Sequence, residues 1–306
     1  MKKIITVLMT FLMVACSSGT TTPSEVSDTT GSIHVYTRDA SSGTREAFEK
    51  AISLEELTQT AIEVTSNGDM ATKVGADEMG IGYVSLSTDF VANGIVALSF
   101  EGIFPSIETV LNGTYGMQRP FSYVTRTAGD FESTEKEALV AAFLDFLCNS
   151  IEGQLVVSAA GGIVDETTGV AWAILAENHP IVNQDNSSIT ITTAGSTSVS
   201  KSVQAALEMF QPMAGNFQFV MNQTGSSDGY KRVLGEEKDG ANAADIGFAS
   251  REFKSEEDVM TALSSGVYCI DAVVAVVNEK SPVTNLSQDQ LMRIFSGEIT
   301  TLEALQ

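Results

Sequence analysis

Three stretches of the chain run from a β-rich segment into Gly, Ser and Thr and then directly into a helical pattern. They are VYTRDASSGTREAFEKA (35–51), TTAGSTSVSKSVQAALEMF (192–210) and VMNQTGSSDGYKRVL (220–234). The N–H groups that open a helix have no partner inside it, and with the positive end of the helix dipole they attract anions. Glycine lets the main chain come close to a ligand, and Ser and Thr hydroxyls add short donors. Three such ends meeting at one point would surround a tetrahedral oxyanion. A fourth stretch, ADIGFASREFKSEED (244–258), sets Ser250 and Arg251 directly after a strand. With Arg38 it supplies guanidinium forks suited to bidentate contact with phosphate or carboxylate. Each loop alone is an ordinary cap or turn; their coincidence is what points to an anion. Arg45 and Lys201, inside the first helical turns, read as solvated surface charges.

Other chemistry is poorly supported. STSVSK holds Ser198 and Lys201 in the S-x-x-K spacing of penicillin-recognising enzymes, but the companion S-D-N and K-T-G motifs are missing and no G-x-S-x-G elbow occurs, so the chain does not read as an enzyme. His34 and His179 stand far apart and no calcium loop is present, so neither a metal site nor a cofactor is expected. Cys148 and Cys269 read as free buried thiols, although a disulfide is chemically allowed outside the cytoplasm.

The elements that must position these loops are strands at 33–37, 81–86, 94–100, 188–193, 217–222, 244–249 and 271–278, alternating with helical patterns. The clearest helix is 134–149, with Thr134 and Glu137 as a capping box and an apolar face of Leu139, Ala142, Phe143, Phe146 and Leu147. A second capping box, Ser287 and Gln290, opens a helix in NLSQDQLMRIF. The alternation predicts an α/β architecture with mainly parallel pairing, which binds ligands where strand ends lead into helices. Residues 165–187, with Trp172, break the rhythm and read as a connector containing a short helix docked on a neighbour.

The chain has 306 residues, with 17 basic against 39 acidic side chains and a formal charge of −22. That field repels nucleic acid and anionic lipid, so any bound anion must be held locally. Lys2, Lys3 and the apolar run from Ile4 to Ala15 read as a secretion signal, too short to span a bilayer. MVAC resembles a lipobox, in which Cys16 becomes an acylated N-terminus. Residues 16–31 are small and polar and read as a disordered tether spanning roughly 20 Å.

In combination, GSTSV, GSSDG, DIGFASRE, VVAVVNEKSPVTNLSQDQLMRIFSGEIT, TRDASSGTREAF, GIGYVSL and NGTYGMQRPF resemble the substrate-binding lipoproteins of bacterial phosphate ABC importers, over nearly all of 32–306. The resemblance implies a two-lobed periplasmic-binding-protein-like fold of type II. It implies a monomer held at the outer face of the cell membrane that closes on inorganic phosphate and delivers it to permease and ATPase subunits. Sulfate, molybdate, or a sensor role without a permease are the alternatives. The blocks stand in a rotated order relative to the family's usual one, as in a circular permutation. That order implies one lobe from 32–87 plus 279–306 and a continuous lobe over 88–278. By the same resemblance Arg38, Ser42, Gly43 and Thr44 contact the ion from one lobe, and Thr197, Ser198, Ser226, Ser250 and Arg251 from the other. Rejection of sulfate needs a buried acceptor for the phosphate proton, for which Asp39 and Asp228 are the candidates.

Overall fold

The structure is a computed structural model that describes residues 31–305. The signal segment, Cys16 and nearly all of the tether lie outside the described residues. The chain runs β1 (His34–Arg38), α1 (Gly43–Ala51), β2 (Ile62–Val64), α2 (Asn67–Gly75), β3 (Gly80–Ser85), β4 (Ile95–Ala97), β5 (Ser99–Phe100) and α3 (Ile107–Leu111). It continues through β6 (Gln118–Thr125), α4 (Thr134–Asn149), α5 (Ile151–Ala159), α6 (Trp172–Leu175), β7 (Thr190–Gly195), α7 (Ser200–Phe210), β8 (Gln218–Gln223) and α8 (Ser226–Lys231). It closes with β9 (Ile246–Ala249), β10 (Ser265–Asn278), β11 (Asn285–Leu286) and α9 (Gln288–Ser296).

The main sheet has the order β2-β1-β3-β10-β6-β9-β7-β8, with β4 also on β10. It contains two parallel triads, β1 with β2 and β3, and β7 with β8 and β9. Between them β10 and β6 run antiparallel to their neighbours, so the expected parallel pairing holds within each triad only. The reason is that β10 serves both triads: Val273–Val277 pair with β3, while Ser265–Ala272 pair with β6.

Two large cores follow from this division. Phe48, Tyr83 and Phe295 pack together in the first, where the Phe48 and Tyr83 rings stack at 4.2 Å. Phe143, Phe146, Phe210, Phe217 and Trp172 fill the second. Val110, Tyr115, Met117 and Val273–Val277 belong to the first core, whereas Phe121 and Cys269 belong to the second. Along the chain core membership changes over near 117/118 and 271/272, with Ile163 alone returning to the first core, whereas the sequence reading placed the lobe boundaries at 87/88 and 278/279. Strand β10 is continuous in sequence while its two ends lie in different cores.

Local signals explain most helix ends. In α4 the cap is Ser133, whose side chain accepts from Lys136 N, and Glu137 reaches back to Gly129 N instead of closing a box with Thr134. The five apolar residues expected on α4 are all buried, with Val140 and Leu144 beside them. Helix α9 has the predicted Ser287 and Gln290 box and ends at Gly297, whose φ of +86° suits glycine. The connector carries α6, and Trp172 docks on Phe146, Phe210 and His179. No helix among the described residues is long and apolar enough to cross a membrane.

Cys148 and Cys269 are free thiols. Burial pushes the Cys148 thiol up to about 12, and Cys269 well above its ordinary value. The thiolate is the reactive form, so an alkylating reagent at mildly alkaline pH should label neither until the protein is unfolded. Mass spectrometry of native and denatured samples checks this, and rapid native labelling would contradict the packing.

Candidate anion-binding site between the lobes

Strand β1 ends at Arg38, which is only 1% exposed. Its backbone N–H donates to the Tyr83 hydroxyl at 3.0 Å, fixing the strand end over the first core. Its guanidinium donates to Thr197 Oγ1 at 3.2 Å, Asp39 Oδ2 at 3.1 Å and the Thr65 carbonyl at 3.2 Å. Arg38 Nε is buried and has no hydrogen-bond partner. The turn that follows is held by Asp39 Oδ1, which accepts from Ser41 N at 2.9 Å, and Ser42 then caps α1 by accepting from Arg45 N at 3.3 Å.

The second lobe meets this turn with hydroxyls. Gly195, at φ +125°, ends β7 in a space where a Cβ would lie 1.9 Å from the Phe248 carbonyl. Beyond it Ser196 Oγ donates to Ser250 Oγ at 2.9 Å, and Ser226 Oγ lies 3.2 Å from Ser250 Oγ. Across the lobe boundary Thr44 Oγ1 and Ser198 Oγ are 2.9 Å apart. A Cβ on Gly43 would stand 2.3 Å from Ser226 Oγ, so the start of α1 lies directly against the second lobe. Arg38, Gly43, Thr44, Thr197, Ser198, Ser226 and Ser250 thus come together, with Ser42 beside them as a cap.

Arg251 does not join them. Its Nη1 and Nη2 donate to the Glu257 carboxylate at 2.7 and 2.8 Å, and its buried Nε lies 3.0 Å from Glu46 Oε2 as an ion pair without hydrogen-bond geometry. Glu46 also pairs with Lys254 at 3.1 Å. A guanidinium already matched by two carboxylates has little positive field left for a ligand, and its place is a tie between α1 and the second lobe.

In the place expected for Arg251 stands Arg119, which sequence reasoning did not assign. Its Nη1 donates to Ser250 Oγ at 3.2 Å and its Nη2 to Ser198 Oγ at 3.1 Å. Nε and Nη2 both reach Asp271 Oδ2, at 3.0 and 2.8 Å, while Ser85 Oγ donates to Asp271 Oδ1 at 2.8 Å. Burial pushes Arg119 down and Asp271 up, and each is opposed by the other's charge. The visible signals were an arginine inside the NGTYGMQRPF block and a lone acid at the head of the apolar DAVVAVVN run.

The acids nominated as proton acceptors are both engaged. Burial pushes Asp39 up, but hydrogen bonds from Ser41 and the charge and donors of Arg38 outweigh it, so its carboxyl sits below the usual range. Asp228 lies in the first turn of α8, held by Thr224 and by Arg232 at 3.3 Å. Arg45 pairs with Glu49 and donates to the Arg38 carbonyl. Lys201 Nζ donates to the Ser87 carbonyl at 2.9 Å across the lobe boundary, so it makes no dyad with Ser198. A cleft of about 470 Å³ lined by Glu46, Lys50, Gln118, Arg119 and Arg251 opens beside the cluster.

Two lobes, each a parallel triad on its own core, meeting over buried arginines and converging hydroxyls, define a binding protein of the periplasmic-binding-protein kind. The family described as PBP superfamily domain matches residues 21–150 and 181–301, and the chain belongs to it. It is 28% identical over 300 residues to Phosphate-binding protein PstS 2 of Streptococcus agalactiae serotype V, covering 95% of this chain and 92% of that one. The PstS 2 protein of Streptococcus pneumoniae serotype 4 matches at 28% over 305 residues, covering 97% and 94%. A solved structure of a phosphate ABC transporter phosphate-binding protein from S. pneumoniae TIGR4 superposes with a TM-score of 0.64 at 28% identity, over 90% of this chain and 100% of that one.

Proposed function

We propose that this chain captures phosphate between its lobes outside the cytoplasm and delivers it to the permease and ATPase subunits of an ABC importer. The observation that carries this reading is Arg38, a buried guanidinium whose Nε–H lacks a partner and whose Nη1 reaches across to the Thr197 hydroxyl of the other lobe. An unmatched buried donor is costly, and an anion oxygen at that point would remove the cost. The relatives' names give the oxyanion as phosphate. The proposed contacts are Arg38, Ser42, Gly43 and Thr44 from the first lobe and Thr197, Ser198 and Ser226 from the second, with Ser250 behind Ser226 as its hydrogen-bond partner. Arg119 replaces Arg251 as the second arginine. Asp39, beside Arg38 and held in its ionised form, is the better acceptor for the phosphate proton.

Acylation of Cys16 would tether the monomer to the membrane without fixing its orientation. The order of the lobes is read as a circular permutation of the family's usual order, because the GSTSV loop stands in the second lobe of this chain. Titration calorimetry on the soluble chain beginning near Glu25, with phosphate and then sulfate and molybdate as competitors, tests the reading. Micromolar or tighter phosphate binding that sulfate does not disturb is the expected result. Silence toward all three from folded protein would overturn it.

The Glu46 tie adds a kinetic expectation. Glu46 is 43% exposed and pairs with Arg251 and Lys254 of the opposite lobe, which favours closure modestly because the pair is partly screened. Glu46→Gln should raise the phosphate off-rate about threefold, an effect that fades at high salt. Stopped-flow release measured at two ionic strengths checks it, and an unchanged off-rate would remove the tie from the mechanism.

A further inference from the structure

The hydroxyls of the site point in directions that follow from their partners. A hydroxyl has one proton to give and two lone pairs to fill. Ser250 Oγ accepts from Arg119 Nη1 at 3.2 Å and from Ser196 Oγ at 2.9 Å, which fills both lone pairs. Its own proton therefore goes to Ser226 Oγ at 3.2 Å. Ser226 Oγ also accepts from Ser250 N at 3.0 Å, so its lone pairs are filled in turn and its proton is left for a ligand. Thr197 Oγ1 reaches the same state, accepting from Arg38 Nη1 at 3.2 Å and Asn67 N at 3.3 Å. Thr44 and Ser198 share one proton between them, and whichever way it lies, one proton of the pair remains.

We propose that Arg119, held in place by Asp271, is a specificity-determining positioning residue: through Ser250 it locks Ser226 as a donor, and the site selects hydrogenphosphate over dihydrogenphosphate. This rests on the phosphate reading above. A ligand oxygen opposite Ser226 or Thr197 accepts from it, and a proton carried by that oxygen must find its acceptor elsewhere. Asp39 provides one acceptor, which suits a ligand carrying one proton. A second proton finds no acceptor at the locked hydroxyls.

The charged groups around these hydroxyls are Asp39 with Arg38, Asp271 with Arg119, and Asp228 with Arg232 on α8. Farther out on the rim stand Glu46, Arg251 and Glu257. Neither histidine is among them: His34 pairs with Asp77 and His179 with Asp145. The pH dependence of binding then follows the ligand's own second ionisation.

The test is phosphate titration calorimetry from about pH 5.5 to about pH 8.5 on the wild type, Arg119→Gln, Ser250→Ala and Asp271→Asn. Binding of the dianion alone makes the apparent affinity fall about tenfold per pH unit on the acid side, in proportion to the competent fraction. Arg119→Gln and Ser250→Ala each free a lone pair in the chain that locks Ser226, so both should bind more weakly with a slope flattened to about twofold per unit. Asp271→Asn still accepts from Arg119 and should keep the steep slope. Wild-type protein that binds phosphate equally at every pH overturns the inference and leaves the receptor reading intact. A steep slope unchanged in both Arg119→Gln and Ser250→Ala removes Arg119 from the role. A slope lost only in Asp271→Asn assigns the effect to that carboxyl and also overturns the proposal. Absence of phosphate binding at every pH overturns the receptor reading, and the inference falls with it.

Discussion

Arg38→Ala is expected to abolish tight phosphate binding, with a loss of at least about a hundredfold in affinity. Arg38 is 1% exposed, and its guanidinium supplies both positive charge and a buried Nε–H that finds no partner among the described residues. Removing one partner of a buried charge pair typically costs about 3–5 kcal/mol, and every 1.4 kcal/mol is about tenfold in affinity. Part of that loss comes from Asp39, which the substitution leaves facing the anion without its guanidinium. Arg38→Lys is the sharper comparison. It keeps the charge but replaces a planar fork that reaches Thr197, Asp39 and Thr65 at once by a single ammonium. Its affinity should fall between those of the wild type and the alanine variant. Calorimetry on all three proteins, with thermal melts to show that they fold, measures both effects. Affinity held within a few-fold in Arg38→Ala would place the anion elsewhere.

Much of this site was legible because its signals are local. A strand that ends in Ser, Gly and Thr before a helix declares itself within a dozen residues, and the structure brings the Arg38 turn and the loops at Thr197 and Ser226 to one place. What was missed depends on where strands lie in the sheet. Arg119 and Pro120 sit in β6, and nothing adjacent in sequence says that this strand passes between the triads under Ser198 and Ser250. Arg251 was misplaced for a related reason. Its position after β9 is a site position, but the side chain's direction is set by Glu257, six residues on, and by Glu46 on the opposite lobe. The lobe boundary was likewise hidden, because DAVVAVVN is one apolar run whose first residue serves the site and whose later residues fill the first core.

The charge arrangement explains how an acidic protein would hold an anion. Arg38 and Arg119 each face an aspartate, so the cluster carries little net charge of its own. Attraction then rests on oriented donors: the guanidinium N–H groups, the hydroxyls, and the N–H groups at the start of α1. Such dipoles act at short range and lose little to the repulsive outer field. A site of this kind works only when both lobes are in contact, since Thr44 and Ser198 come from opposite sides.

That dependence is what Gly43→Ala would expose. Gly43 opens α1, and an added Cβ would lie 2.3 Å from Ser226 Oγ, 2.8 Å from Ser226 Cβ and 3.0 Å from Ser250 Oγ, all in the other lobe. Within its own lobe the change is benign, because alanine is a better helix former than glycine and loses less backbone freedom on folding. The conflict arises only on closure, where forcing a methyl into a packed contact costs about 1–3 kcal/mol. Phosphate affinity should therefore fall by about tenfold to about a hundredfold while the melting temperature without ligand stays level or rises slightly. Small-angle scattering should show the wild type contracting on phosphate and the variant failing to reach the same radius. Gly225→Ala, whose Cβ would stand 2.0 Å from Ser41 Oγ, should behave alike from the opposite side. If either variant instead melts several degrees lower without ligand, the lobes are in fixed contact and a hinge is ruled out. If both bind like the wild type, the contact between Gly43 and Ser226 is not part of the bound state.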